Sequence, residues 1–158
     1  MYGNVVSDTI AETRQPPTRE ATLRRLHDWR SRVHALYDRI EYALGPDYTY
    51  DRTGKQRSAE ERVQQADLTP AEVPPVDILR VGRSGHQVML ILPRSLWIIG
   101  ANGRLDLSLF PKSGGRRLYI LYDLSSPMED RSDWRIVRPS DGPQHVVFVP
   151  ERLPELME

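Results

Sequence analysis

Two aspartates are the best candidates for metal chemistry in this sequence. Asp106 and Asp123 each fall in a short run of β-forming residues, and two carboxylates near the edge of a sheet can hold the divalent ion of a nuclease or hydrolase. A restriction-type nuclease would add an acid and a lysine on the following strand, whereas Leu124 and Ser125 follow Asp123. A metal-dependent hydrolase or nuclease that uses this pair is therefore the third of three functional hypotheses.

Other catalytic residue sets fail on type or spacing. The chain has no cysteine, which excludes disulfides, thiolate zinc sites and cysteine nucleophiles. His27 and His34 are seven residues apart, whereas a helical zinc pair is four residues apart. The glycine-rich turns lack the lysine and hydroxyl residue of a phosphate loop. We predict no catalytic residue, no cofactor and no resident metal, which favours a protein that is not an enzyme.

A row of arginines supplies the second group of candidates. Arg25, Arg32 and Arg39 recur every seven residues along a predicted helix, and such a row can bind phosphates or an acidic partner. Acidic residues, among them Asp28 and Asp38, alternate with this row, a pattern that is also typical of a solvated helix flank. The spacing leaves both interpretations open.

The elements that carry these residues predict an α+β fold. Apolar residues of segment 18–44 repeat at three- and four-residue spacing, Thr18 is a helix N-cap, and Gly45-Pro46 is a stop signal. This pattern predicts a long N-terminal amphipathic helix. Beyond Pro74-Pro75, short β-rich runs without room for crossover helices predict a mostly antiparallel meander of about five to seven strands, on which the helix packs.

The domain organisation is simple. We predict a flexible N-terminal arm over 1–17, a single α+β domain over 18–150 and a C-terminal surface tail over 151–158. Segment 47–75 is polar and rich in turn formers, so it is a long loop with one short helix. Whether this loop covers part of the sheet is left open.

The strand register defines a candidate binding surface. Asn102-Gly103 predicts a tight hairpin turn that pairs Gly100 with Leu105, and the next connection pairs Leu109 with Leu118. One sheet face is then apolar and the other mixed. Aromatic and arginine residues are enriched at interfaces, although a solvated face with an Arg104–Asp123 ion pair is the alternative. The predicted binding surface consists of Trp97, Arg104, Asp106, Ser108, Tyr119 and Asp123.

Charge and hydropathy limit the partners. The 22 acidic and 22 basic residues balance, which argues against a whole-molecule field that attracts nucleic acid. We find neither a signal-peptide pattern nor a membrane span, so we expect a cytoplasmic protein with no membrane partner. Our leading hypothesis is a non-enzymatic protein-interaction module, a small regulator or inhibitor that binds another protein. Nucleic-acid binding is the alternative, and a homodimer through the 18–44 helix is left open.

Overall fold

The computed structural model describes residues 17–127 and 129–158, and the predicted N-terminal arm lies almost entirely outside these ranges. Helix α1 runs over Arg19–Leu44. The Thr18 side chain accepts a hydrogen bond from the Ala21 N–H at 3.1 Å, and Gly45 ends the helix with a φ of +78°. Both ends of the helix therefore agree with the prediction from capping residues.

The rest of the chain is mainly β-structure. The strands and α-helices after α1 are β1 (Thr49–Asp51), β2 (Lys55–Gln56), α2 (Glu61–Gln65), β3 (Val76–Asp77), β4 (Leu79–Arg83), β5 (His86–Ser95), β6 (Arg104–Leu109), β7 (Arg117–Asp123), β8 (Trp134–Val137), β9 (His145–Val147) and α3 (Leu153–Leu156). The sheet has the order β1-β4-β5-β6-β7-β8-β9 with antiparallel neighbours, while β2 and β3 form a separate ribbon. The α+β prediction, with a helix packed on an antiparallel meander, is confirmed.

Helix α1 covers one face of the sheet and forms the core with it. Leu26, Val33, Leu36 and Ile40 of α1 are buried in the same cluster as the inward residues of β4 to β7. Burying apolar surface of this kind contributes about 25 cal/mol per Å². No helix in the described ranges is long and apolar enough to cross a lipid bilayer.

The predicted hairpin at Asn102-Gly103 is wrong. Strand β5 continues through Pro93 to Ser95 and pairs with β6 by placing Pro93 opposite Leu105. Pro93 lies where the β5–β6 register shifts, a position at which proline is tolerated within a strand. Residues 96–103 form a loop that contains a single bridge between Ile98 and Ala101.

The predicted register between β6 and β7 is wrong by one residue. Leu109 lies opposite Arg117 instead of Leu118, and Leu107 lies opposite Tyr119. Because side chains alternate along a strand, a slip of one residue moves every β7 side chain to the other face of the sheet. Tyr119 and Asp123 therefore face α1, together with the buried Leu107.

Two segments that were predicted to be loop and tail belong to the core. Val63 and Val73 of segment 47–75 are buried beside α1. Leu153 and Met157 are also buried, so the C-terminal segment 151–158 contributes two side chains to the core although most of its residues are exposed. The apolar residues of these segments are too few and too short in sequence to show helical or strand periodicity, which is why their burial was missed.

Candidate binding surface

The six residues of the predicted binding surface do not lie together. Arg104, Asp106 and Ser108 lie on the sheet face that points away from α1, whereas Tyr119 and Asp123 face α1 and are buried. Trp97 lies in the loop after β5. The Arg25 guanidinium carbon lies 5.7 Å from the centre of the Trp97 ring, and the Glu60 carboxylate accepts a hydrogen bond from the backbone N–H of Trp97 at 3.0 Å.

Asp123 holds the helix to the sheet. Its side chain is 0% exposed, and Oδ2 lies 2.5 Å from Nη1 of Arg32, which is itself 8% exposed. Oδ1 accepts the backbone N–H groups of Ser125 and Asp133 at 2.9 and 2.8 Å. Burial alone would raise the pKa of Asp123, but these hydrogen bonds and the charge of Arg32 outweigh burial and leave the pKa below its usual value. Asp123 is therefore a buried, ionised structural residue.

The predicted arginine row serves mainly to hold the fold together. Arg25 donates to Oδ1 of Asn102 at 3.0 Å, and Arg32 donates to the Asn102 carbonyl at 2.9 Å. Burial, and then the charge of Arg32, lowers the pKa of Arg25. Only Arg39 remains exposed. The row is thus interrupted by internal contacts and does not form a continuous basic surface.

The outer side of α1 is polar. The apolar residues of α1 pack against the sheet, and the one large apolar side chain that α1 exposes is Tyr42, at 90%. The exposed side otherwise carries charged, polar and small residues such as Arg24, Ser31 and Asp38. A homodimer through residues 18–44 would therefore have little apolar area to bury.

Asp106 and Asp123 lie on opposite faces of the sheet and cannot bind the same metal ion. Asp106 lies opposite Ile120, and Asp123 is three residues further along β7 on the face toward α1. Asp106 instead accepts hydrogen bonds from Arg94 at 2.6 Å and Arg104 at 3.1 Å. In residues 17–127 and 129–158, no three histidine, aspartate or glutamate side chains are grouped so that they could hold a metal ion.

The second sheet face is apolar at its centre, and we call it the open face. Leu92, Asp106, Ile120 and Val137 form one row across β5 to β8 in consecutive register positions. None of the three apolar residues of this row belongs to the core cluster under α1. The apolar residues of the open face are Leu90, Leu92, Leu118, Ile120, Tyr122 and Val137.

Arginines surround the apolar centre of the open face. Arg94 and Arg104 lie over Asp106, and Nε of Arg116 donates to Oγ of Ser108 at 3.0 Å. Asp106 and Ser108 are buried beneath these guanidinium groups, and no helix in the part of the chain that the structure describes lies over them. Arg80 on β4 and Arg135 on β8 add positive charge on either side of the central strands of the open face. The open face is therefore apolar in the middle and cationic around it.

One sequence signal could have revealed the open face. Strand β7 reads Arg-Leu-Tyr-Ile-Leu-Tyr-Asp, so both of its faces are apolar and alternation does not distinguish them. A central strand with two apolar faces requires a cover on each side, and residues 17–127 and 129–158 contain only one long helix. The shortage of covering elements predicts an uncovered apolar sheet face.

These features define an α+β domain whose sheet has one face covered by α1 and a second face, the open face, that no helix of the described residues covers. Comparison of the chain with models of protein families, with curated protein sequences and with solved structures finds no match.

Proposed function

We propose that this protein is a non-enzymatic interaction module, a small regulator or inhibitor that binds another protein through its open face. The observation that carries the proposal is the apolar centre of a sheet face that no described helix covers. Leu118, in the row beside this centre, has 42% of its surface exposed, and Leu92 and Ile120 of the central row are partly exposed. Contiguous exposed apolar surface on a domain marks an interaction site, because leaving it in water is unfavourable.

The charge of the open face favours an acidic partner. Five arginines lie on or beside this face, at positions 80, 94, 104, 116 and 135, against three carboxylates: Asp106, Asp51 opposite Arg80, and Asp133, which pairs with Arg135. A partner surface with apolar residues and carboxylates would complement both features. A second copy bound through the same face would bring arginines against arginines, which costs free energy through like-charge repulsion. The absence of cysteine suits a reducing compartment and supports the cytoplasm as the place of action.

Nucleic-acid binding is the second candidate, and one row of the open face favours it. Tyr122 lies between Arg104 and Arg135 in consecutive register positions, an arrangement in which a base could stack and two phosphates could pair. Trp97 and Tyr119, the aromatics first expected to stack bases, instead pack on the side of α1. A single aromatic and a zero net charge make this candidate weaker than a protein partner.

Site-specific photo-crosslinking in cells tests the proposed function. A photoreactive residue at position 118 should crosslink to a partner protein, and the same residue at position 42 on α1 is the matched exposed control. Arg80→Glu should abolish the crosslink from position 118, since Arg80 is exposed and contributes to the charge of the open face.

The control for charge is Arg39→Glu, because Arg39 is equally exposed but lies on α1. This variant should leave the crosslink intact. Equal crosslinking from positions 118 and 42, or a crosslink that Arg80→Glu does not affect, would refute binding through the open face. A crosslink to nucleic acid would replace the leading proposal by the second candidate.

A further inference from the structure

One edge of the sheet is unpaired in the described part of the chain. Strand β9 is the last strand of the sheet and pairs only with β8. The Phe148 N–H donates to the Trp134 carbonyl at 2.9 Å, on the β8 side. Because backbone groups of an antiparallel strand alternate between its two sides, the N–H and C=O of His145 and Val147 point outward. This edge therefore presents donors and acceptors at the spacing of an extended chain.

Strand β9 is short, but it lacks the charged side chains that normally protect an edge. Edge strands are usually blunted by charged side chains or proline. The opposite edge strand, β1, carries Asp51, whereas β9 has no lysine, arginine, aspartate or glutamate. Val146 and Val147 are 63% and 56% exposed. Such an edge is suited to pairing with a further strand.

A groove lies beside this edge on the helix side of the sheet. It has a volume of about 380 Å³, with Tyr119, Ile136 and Val146 on the sheet and Phe148 and Leu156 in the C-terminal segment. The Arg117 guanidinium donates to the Leu156 carbonyl at 3.1 Å and ties that segment to β7. The lining is mostly apolar, with Arg138, Asp141, Gln144, Arg152 and Glu155 as its polar residues, and the volume is that of a pocket for side chains or small ligands.

We propose that an extended segment of a partner protein adds to β9 as an extra strand and places apolar side chains from alternate positions in this groove. The outward backbone groups of His145 and Val147 recognise an extended backbone, and the groove selects side chains with a period of two. This inference goes beyond the proposed function, because it uses the edge and the opposite face of the sheet.

A second copy of this chain is a poorer occupant. Strand β9 has three residues, so pairing it with itself forms a contact only about 10 Å long at roughly 3.3 Å per residue. A stable dimer buries about 800 Å² on each partner, and a contact of this length does not supply that area. A peptide segment gains the remaining contact from the groove.

Peptide selection on the full-length protein provides the test. Random linear decapeptides displayed on phage are selected, and a recurrent sequence is synthesised and titrated by fluorescence polarisation. We expect apolar residues at every second position of the selected sequences. Val146→Arg, which fills the groove, should weaken binding at least about tenfold. His145→Arg is the matched control, because His145 is on the same exposed strand but its side chain faces away from the groove.

Hydrogen exchange shows whether a strand is added. The amide protons of His145 and Val147 should exchange more slowly when the peptide is bound. Leu118→Glu, on the open face, should leave peptide binding unchanged, so failure of the open-face proposal and failure of this one are distinguishable.

Three results would overturn the proposal: no selected peptide, equal effects of the two arginine variants, or a bound peptide that leaves both amides unprotected. Protection that rises with protein concentration without peptide would assign the edge to a second copy.

Discussion

Removing the charge of Asp123 should strongly destabilise the protein. In Asp123→Asn the buried Arg32 loses its closest anionic partner, whose Oδ2 lies 2.5 Å away. Breaking a buried pair by removing one partner costs about 3–5 kcal/mol. Arg32 keeps the Asp28 carboxylate at 2.8 Å and the Asn102 carbonyl, so we expect the lower value, about 3 kcal/mol. The free energy of unfolding should fall by that amount.

Urea denaturation followed by circular dichroism measures this loss. With a slope of about 2 kcal/mol per molar urea, the midpoint should fall by roughly 1.5 M. Asp133→Asn is the matched control, because Asp133 forms an exposed pair with Arg135 and should cost no more than about 1 kcal/mol. If Asp123→Asn costs no more than this control, the reasoning about the buried charge is wrong.

A double variant and a pH series examine the same pair. Arg32→Met combined with Asp123→Asn should be less destabilising than the sum of the single changes by at least about 1 kcal/mol, since neither buried charge is left alone. The folded pKa of Asp123 lies below its usual value. Its contribution to stability is therefore present above the unfolded pKa of about 3.9 and is lost as the pH falls through the folded pKa. The urea midpoints of wild type and Asp123→Asn should converge in that acidic range.

Three further substitutions compare the packing of the core with the exposed surface. Gly103→Ala should destabilise by more than about 1 kcal/mol, because a Cβ there would lie 2.1 Å from the Trp29 ring and φ is +129°. Gly114 has a φ of +94° but open space around it, so Gly114→Ala should cost only about 1 kcal/mol. Equal urea midpoints for the Gly103 and Gly114 variants would contradict the close packing of Trp29 on Gly103. Leu118→Glu should change stability by less than about 0.5 kcal/mol but should reduce binding of a hydrophobic dye, because Leu118 is exposed on the open face. Unchanged dye fluorescence would argue against that face as the exposed apolar surface.

Some features of this protein follow from local sequence alone. Thr18 and Gly45 set the ends of α1, because N-cap hydrogen bonding and a positive φ are properties of single residues and their neighbours. The class of fold also follows from sequence, since short β-rich runs without crossover segments permit only antiparallel neighbours. The alternation of side chains along β6 was enough to predict that one face carries Arg104, Asp106 and Ser108.

Only the tertiary structure decided which face of β7 meets the helix. Both sets of β7 side chains are apolar, so the hydrophobic pattern permits either register. The pairing of Arg32 with Asp123 is compatible with just one register, and it joins residues 91 positions apart in the chain. No local pattern can report such a contact, because it forms only when helix and sheet are packed together. The location of the open face, and with it the candidate site, depended on that long-range choice.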